Sequence, residues 1–426
     1  MSSNRNFHTS TLAIHAGAPR DLHANSILFP IHQTTAYVQE AVGVHKGHTY
    51  SRTSNPTVDA LEQTIAVLEG TQATLCFRSG MAAITTLCLS LLKSGDHVII
   101  SEVVYGGTVR LFRQVLGELG IQHSFVDTSI PATVDAAITP STRLIFVETP
   151  ANPTLKLTDV AEIARVAKSH DVLLAVDNTF LTPLLQRPLE LGADISVLST
   201  TKYIEGHNAT VGGSLATRNE KLLERLRLVR KTTGTIQAPF DAWLTLRGIK
   251  TLPVRMQVIC HNALAVAQWL ERHPAVRCVH YPGLKSFPQK ALADRQQRAP
   301  GGMLSFELKA GVASAQEFLS SVKLCLLAEN LGAVETLVTH PASMSHSDVP
   351  IETRDRLGIT DKLIRLSIGL EDPADIIADL SQAVIASRGS HSSETSLDES
   401  GEYRERPGPY DGKSLFPLDH IPHGNC

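Results

Sequence analysis

Three short stretches carry residue types that could work together as a catalytic centre. Residues 77–81 read FRSGM and open an apolar run with helical spacing. A small hydroxyl and a glycine at a helix start expose backbone N–H groups to an anion such as a phosphate. Residues 176–180, VDNTF, put Asp177 at the end of an apolar, strand-like run. Residues 198–203, LSTTKY, place Lys202 just beyond a second such run, DISVL at 194–198, among small hydroxyl side chains. Lysine is rarely buried without a reason. A desolvated lysine has a depressed pKa and a free amine, as Schiff-base chemistry requires. Taken singly, each stretch has a plainer reading. Ser79-Gly80 could be an ordinary turn, Asp177 a cap or ion-pair partner, and Lys202 a side chain reaching solvent.

Together the three are more specific. A phosphate cradle, an acid and a lysine at neighbouring strand ends are what pyridoxal 5'-phosphate needs: helix-end amides hold its phosphate, the acid pairs with its ring nitrogen, and the lysine binds its aldehyde carbon. On this reading Lys202 is the covalent anchor, and Ser199 and Thr201 are flanking hydroxyls that help to hold the phosphate.

The surrounding chain supplies elements that could position such a centre. Short apolar runs, HVIIS (97–101), RLIFVE (143–148), VLLAVD (172–177) and DISVLS (194–199), read as buried strands. Helical patterns lie before and between them: VDALEQTIAVLEG (58–70), VRLFRQVLGELG (109–120) and DVAEIARVAKSHD (159–171). Such alternation predicts a mostly parallel sheet covered on both faces, with its site at the carboxyl ends of the strands. A helical stretch at 255–272 bridges to a smaller α/β domain with strands at 303–308 and 364–370 and a closing helix at 373–387. The expected organisation is an N-terminal arm (1–60), a large domain (61–258), a small C-terminal domain (259–389) and a mostly disordered tail (390–426), where Ser, Gly and charged residues crowd out apolar ones.

Composition narrows the function classes. The chain has 426 residues, 42% hydrophobic and 19% charged, and fits a globular protein with a sizeable core. A net charge of −3 offers no basic footprint for nucleic acid, and no apolar run is long enough to span a bilayer. The six cysteines are scattered without a CxxC pair, and the N-terminus lacks the apolar core of a secretory signal, so a cytoplasmic protein with reduced thiols is expected. The 18 histidines are dispersed, and no metal centre is expected from their spacing.

The ordered blocks TLAIHAG (11–17), YSRTSNPT (50–57), SGM (79–81), VYGGT (104–108), ETPANP (148–153), VDNTF (176–180), STTKY (199–203) and IRLSIGLED (364–372) resemble the Cys/Met-metabolism family of pyridoxal-phosphate enzymes, the cystathionine γ-synthase, γ-lyase and methionine γ-lyase group. The resemblance runs from about residue 10 to 388 and implies a fold type I transferase-like architecture. Tyr50 and Arg52 resemble arm residues that reach a neighbouring subunit's cofactor phosphate, which implies a homodimer with shared sites, usually paired into a homotetramer. Ser79, Gly80 and Met81 match the phosphate contacts, Tyr105 the tyrosine that stacks on the cofactor ring and relays protons, and Asn152 the residue near its phenolic oxygen. Asp177 matches the ring-nitrogen partner, Lys202 the cofactor-bearing catalytic lysine, and Arg365 the clamp on the substrate α-carboxylate. A guanidinium fork suits that carboxylate.

Residues near the substrate's distal end divide the family. Arg110 and Glu329 resemble those of members that handle cystathionine or succinylated homoserine. Methionine γ-lyases typically place a cysteine where this chain has Gly107 and lack the acid of Glu329; β-lyases usually have an aromatic residue near 329. Asn330 stands where most relatives have serine, and Thr49 where many cystathionine-cleaving members have an acid. The resemblance therefore implies γ-elimination or γ-replacement, with a specialised replacement enzyme using an unusual nucleophile, or a methionine γ-lyase, as the alternatives.

Overall fold

The structure is a computed structural model and describes residues 7–17, 21, 24–309, 312–347 and 349–389. The 390–426 tail and parts of the 1–60 arm lie outside the described residues.

Seven strands form the larger sheet: β1 (Thr74–Phe77), β2 (His97–Ser101), β3 (Gln122–Val126), β4 (Thr142–Glu148), β5 (Leu173–Asp177), β6 (Ile195–Leu198) and β7 (Gly213–Thr217), in the order β1-β7-β6-β5-β4-β2-β3. From β3 to β6 the strands are parallel, and β7 runs antiparallel to both its neighbours. The near-continuous apolar runs of β2, β4 and β6 are buried on both faces, as a covered parallel sheet demands. The helix Pro56–Glu69 begins where the Asn55 side chain accepts the Thr57 N–H and Pro56 fills the first turn.

Five further strands, β8 (Val276–His280), β9 (Met303–Leu308), β10 (Leu326–Leu327), β11 (Leu337–Thr339) and β12 (Leu363–Ser367), form a second sheet in the order β10-β11-β12-β9-β8. Only β10 and β11 pair in parallel there. The helix Leu252–Arg272 joins the two halves. Met256 and Ile259 pack in the core that holds Leu61 and Tyr203, whereas Val266 and Leu270 pack with Phe306 and Ile364 of the second sheet. The expected boundary at 258/259 falls inside this helix.

Some elements escape the sequence pattern. β3 is a half-exposed edge strand (QHSFV) and β7 is built from small residues (GSLAT), so neither shows an apolar run. The helix expected over 109–120 is a short α-helix, Gly106–Arg110, followed by a wider π-helical segment, Leu111–Leu116.

Candidate active site

The parallel register aligns the strand ends. Glu148 of β4 pairs with Asp177 of β5, which pairs with Val197 of β6. The segment carrying Lys202 follows β6 directly, and the one carrying Tyr105 follows β2. A cavity of about 490 Å³ opens over these ends. It is lined by Ser79, Gly80 and Met81, by Tyr105, Asn152 and Asp177, and by Ser199, Thr201 and Lys202. The second sheet brings Arg365 and its loops bring Glu329 and Asn330, so one space gathers residues nearly 290 positions apart.

The cradle sits at the start of the helix Gly80–Leu91. Ser79 caps it: its Oγ accepts the Ala82 N–H at 2.9 Å and its carbonyl accepts the Ala83 N–H at 3.0 Å. That leaves the first-turn amides of Gly80 and Met81 for an anion, on the positive end of the helix. A Cβ at Gly80 would lie 2.9 Å from the Ser199 Cβ, so only glycine lets this helix start approach the lysine segment so closely. Thr179 ties the acid to that segment: its N–H donates to Asp177 Oδ1 at 3.0 Å and its Oγ1 accepts the Ser199 N–H at 2.8 Å. The Thr201 hydroxyl donates to the Gly212 carbonyl at 3.1 Å, with which a phosphate would compete for that proton.

Lys202 Nζ donates to Asn330 Oδ1 at 2.5 Å, and the Asn330 amide donates in turn to Asn208 Oδ1 at 2.5 Å. Burial, aided by the Arg365 charge and opposed by Glu329, lowers the Lys202 amine to about 8. Arg365 is buried; its Nη1 donates to Asn152 Oδ1 at 3.0 Å, and its Nη2 to the Asn330 carbonyl and Thr339 Oγ1, both at 3.1 Å. Its Nε is buried without a hydrogen-bond partner, the mark of a group aimed at something else. Burial raises the Asp177 carboxyl, so a cationic ring nitrogen beside it would restore its charge.

Glu148 opens the ETPANP block and ends a legible strand in register with Asp177, yet the sequence assigns it no role in the site. Its two oxygens accept the backbone N–H groups of Tyr105 at 2.9 Å and Asn152 at 2.8 Å, which fixes both segments. Burial first, then the Asp177 charge, pushes its carboxyl up. Ser345 also lines the cavity, and the neighbouring buried His346, bonded to Ser345 Oγ through Nδ1 at 2.9 Å, is pushed down to about 4 by burial. No sequence pattern marks either. Gly107 has a steric role. A Cβ there would meet Tyr105 Cε1 at 2.5 Å and Met81 Sδ at 3.2 Å, so the tyrosine ring occupies the space of a side chain.

Three expected residues, Tyr50, Arg52 and Arg110, fall outside this cavity. Arg52 lies over the Tyr50 ring at 5.2 Å and donates to the Lys231 carbonyl, and Arg110 is exposed at the end of its helix. Glu329 is at the rim and exposed. Among the described residues no helix is long and apolar enough to cross a membrane.

The amide cradle, the buried acid and the desolvated lysine fit pyridoxal phosphate by their donor chemistry. Comparison with known proteins agrees. The sequence is 48% identical over 374 residues to a cystathionine γ-lyase of Bacillus subtilis (strain 168), covering 88% of this chain and 98% of that one. It is 45% identical over 385 residues to a cystathionine β-lyase of Coxiella burnetii (strain RSA 493 / Nine Mile phase I), covering 90% and 99%. The fold matches a solved cystathionine γ-synthase from Xanthomonas oryzae pv. oryzae, in complex with aminoacrylate and cysteine, with a TM-score of 0.88 and 38% identity over 91% of this chain and 100% of that one. With the sequence profile of the Cys/Met metabolism PLP-dependent enzymes matching residues 10–385, the chain belongs to that family and is a pyridoxal-phosphate-dependent enzyme acting on an amino acid.

Proposed function

We propose that the cavity carries out γ-elimination or γ-replacement on a four-carbon, homoserine-derived amino acid, in the manner of a cystathionine γ-lyase or γ-synthase. The observation that carries the reading is the Lys202 amine, desolvated and held by Asn330 beside the buried Arg365, with Glu329 at the cavity mouth. Bound there, pyridoxal phosphate supplies an electron sink for the carbanion left when the substrate loses its α-proton. The chain's own groups do the remaining work. Arg365 orients the α-carboxylate, and Asn152 holds the arginine. Lys202, once its amine is free, takes the α-proton as general base. Tyr105, half-open to solvent and fixed at its amide by Glu148, assists departure of the γ-substituent. Glu329 faces the distal end of a long substrate, where it would meet an ammonium group; Arg110 is assigned to a distal carboxylate on approach.

Elimination from cystathionine with one water yields cysteine, 2-oxobutanoate and ammonia. Replacement joins a thiol to Cγ of an acyl-activated homoserine and releases the acid. Gly107 and Glu329 count against a dedicated methionine γ-lyase. Tyr50 and Arg52 are assigned to the cavity of a second copy. They do not line their own, and the arm's Ile27, Val38 and Val42 stand fully exposed on a single chain. The working form is then a homodimer with shared sites, paired into a homotetramer. A cytoplasmic setting accords with five free cysteines among the described residues.

Product analysis of the holoenzyme tests the reading. Cystathionine alone is offered, then O-acetyl- and O-succinylhomoserine with cysteine. Release of 2-oxobutanoate and cysteine marks a γ-lyase, and cystathionine formed from an activated homoserine marks a γ-synthase. Pyruvate and homocysteine from cystathionine would overturn γ-chemistry in favour of β-elimination. 2-Oxobutanoate from an activated homoserine alone would favour replacement with a different nucleophile.

A further inference from the structure

We propose that Cys278, His280 and Glu307 form a binding site for a soft divalent cation, zinc by the chemistry of the donors, outside the catalytic cavity. The sequence offers only Cys-x-His on β8, a spacing that points both side chains to one face of a strand. The third donor comes from across the ladder, where Glu307 of β9 pairs with Cys278. One ligand atom from each residue lies within 4.8 Å of the other two. The separations suit tetrahedral zinc. A Zn–S bond of about 2.3 Å and a Zn–N bond of about 2.05 Å at a tetrahedral angle would place sulfur and nitrogen about 3.6 Å apart. Cys278 Sγ and His280 Nε2 are 3.8 Å apart.

The surroundings are built for a cation. Val276 pairs with Leu308 and Cys278 with Glu307, so Arg277 is an extra, bulged residue. A bulge re-aims side chains locally. Here it brings the Arg277 guanidinium onto Glu307, with Nε donating to Oε2 at 2.7 Å. Glu307 is buried, yet the Arg277 side chain is 59% exposed, so the arginine can turn into water when an ion arrives. Thr360 Oγ1 donates to Glu307 Oε1 at 3.2 Å and orients the carboxylate as an outer partner would. Cys278 and His280 are half-buried, which leaves an entry path and a fourth position for water. Arg277 makes the site a labile one, because metal and guanidinium compete for the same carboxylate.

The competing view is a plain Arg277–Glu307 ion pair beside a thiol and an imidazole that bind nothing. Zinc titration of the holoenzyme against a chromophoric chelator separates the two. Cobalt is the second probe: a tetrahedral thiolate site gives strong bands in the red, clear of cofactor absorbance. One ion per chain is expected. Cys278→Ser and His280→Ala should each weaken binding by at least ~100-fold, the upper end of what loss of an outer-shell partner does. Arg277→Gln should tighten it by at least a few-fold, since release of even a fully exposed ion pair is worth about that and Glu307 is buried. Circular dichroism and turnover confirm that each variant is folded. No zinc binding, binding indifferent to His280→Ala, or an Arg277→Gln variant no tighter than the parent would overturn the site.

Discussion

The depressed Lys202 amine makes a quantitative prediction about how the apoprotein takes up its cofactor. Only the neutral amine attacks an aldehyde. Burial and the Arg365 charge disfavour the protonated form and lower Lys202 to about 8. The sign is that of a depressed base: the amine is freed as pH rises through 8, not through the ordinary lysine range. At pH 7 the neutral fraction is then ~9%, against ~0.03% for an unperturbed lysine, a gain of about 300-fold in reactive amine. The attachment rate should rise about tenfold per pH unit below 8 and level off above it. Stopped-flow absorbance after mixing apoprotein with pyridoxal phosphate reads this directly. A parallel series with Nα-acetyl-lysine removes the cofactor's own ionisations. Two variants give opposite tests. Arg365→Gln removes a like charge and should move the midpoint up, whereas Glu329→Gln removes an opposite charge and should move it down. Lys202→Ala should show no attachment at any pH. A midpoint near 10, or shifts of the same sign in the two variants, would refute the argument.

The site makes three other outcomes testable. Arg365→Ala removes two charge-assisted contacts to the substrate carboxylate, worth ~1.5–3 kcal/mol each, so kcat/KM should fall by ~10²- to 10⁴-fold, with partial rescue by lysine; an intact kcat/KM would displace Arg365 from that role. Gly107→Cys puts a Cβ into the space of the Tyr105 ring, so turnover should drop while cofactor absorbance is retained, and unchanged turnover would show that the ring has room to move. Glu148→Gln replaces one of two amide acceptors with an N–H₂ that faces another donor. Thermal unfolding should then report a loss of ~1–3 kcal/mol together with slower turnover, and an equally stable, equally active variant would mean that Tyr105 and Asn152 are held by other means.

The legible part of this site is the part hung on strand ends. Ser79–Met81, Asp177 and Lys202 are readable because each lies beside an apolar run long enough to show a strand or a helix start, and a parallel sheet sends such ends to one edge. Glu148 satisfies the same criterion and opens the ETPANP block, yet its role goes unread, because it holds backbone amides and no residue pattern announces that. The contacts that set the lysine's chemistry are out of reach for a different reason. Asn330 meets Lys202 across 128 positions, and Arg365 meets Asn152 across 213. Both depend on the second sheet being docked against the first by the helix Leu252–Arg272, and local pattern is silent about docking. Position 330 shows the consequence. Read as a sequence, Asn330 is a departure at a position usually held by serine. In the fold its carboxamide bridges Lys202 to Asn208, while its own carbonyl receives Arg365. The same short segment thus holds both the amine proposed as the base and the guanidinium proposed as the substrate clamp, and a change there should perturb the two together.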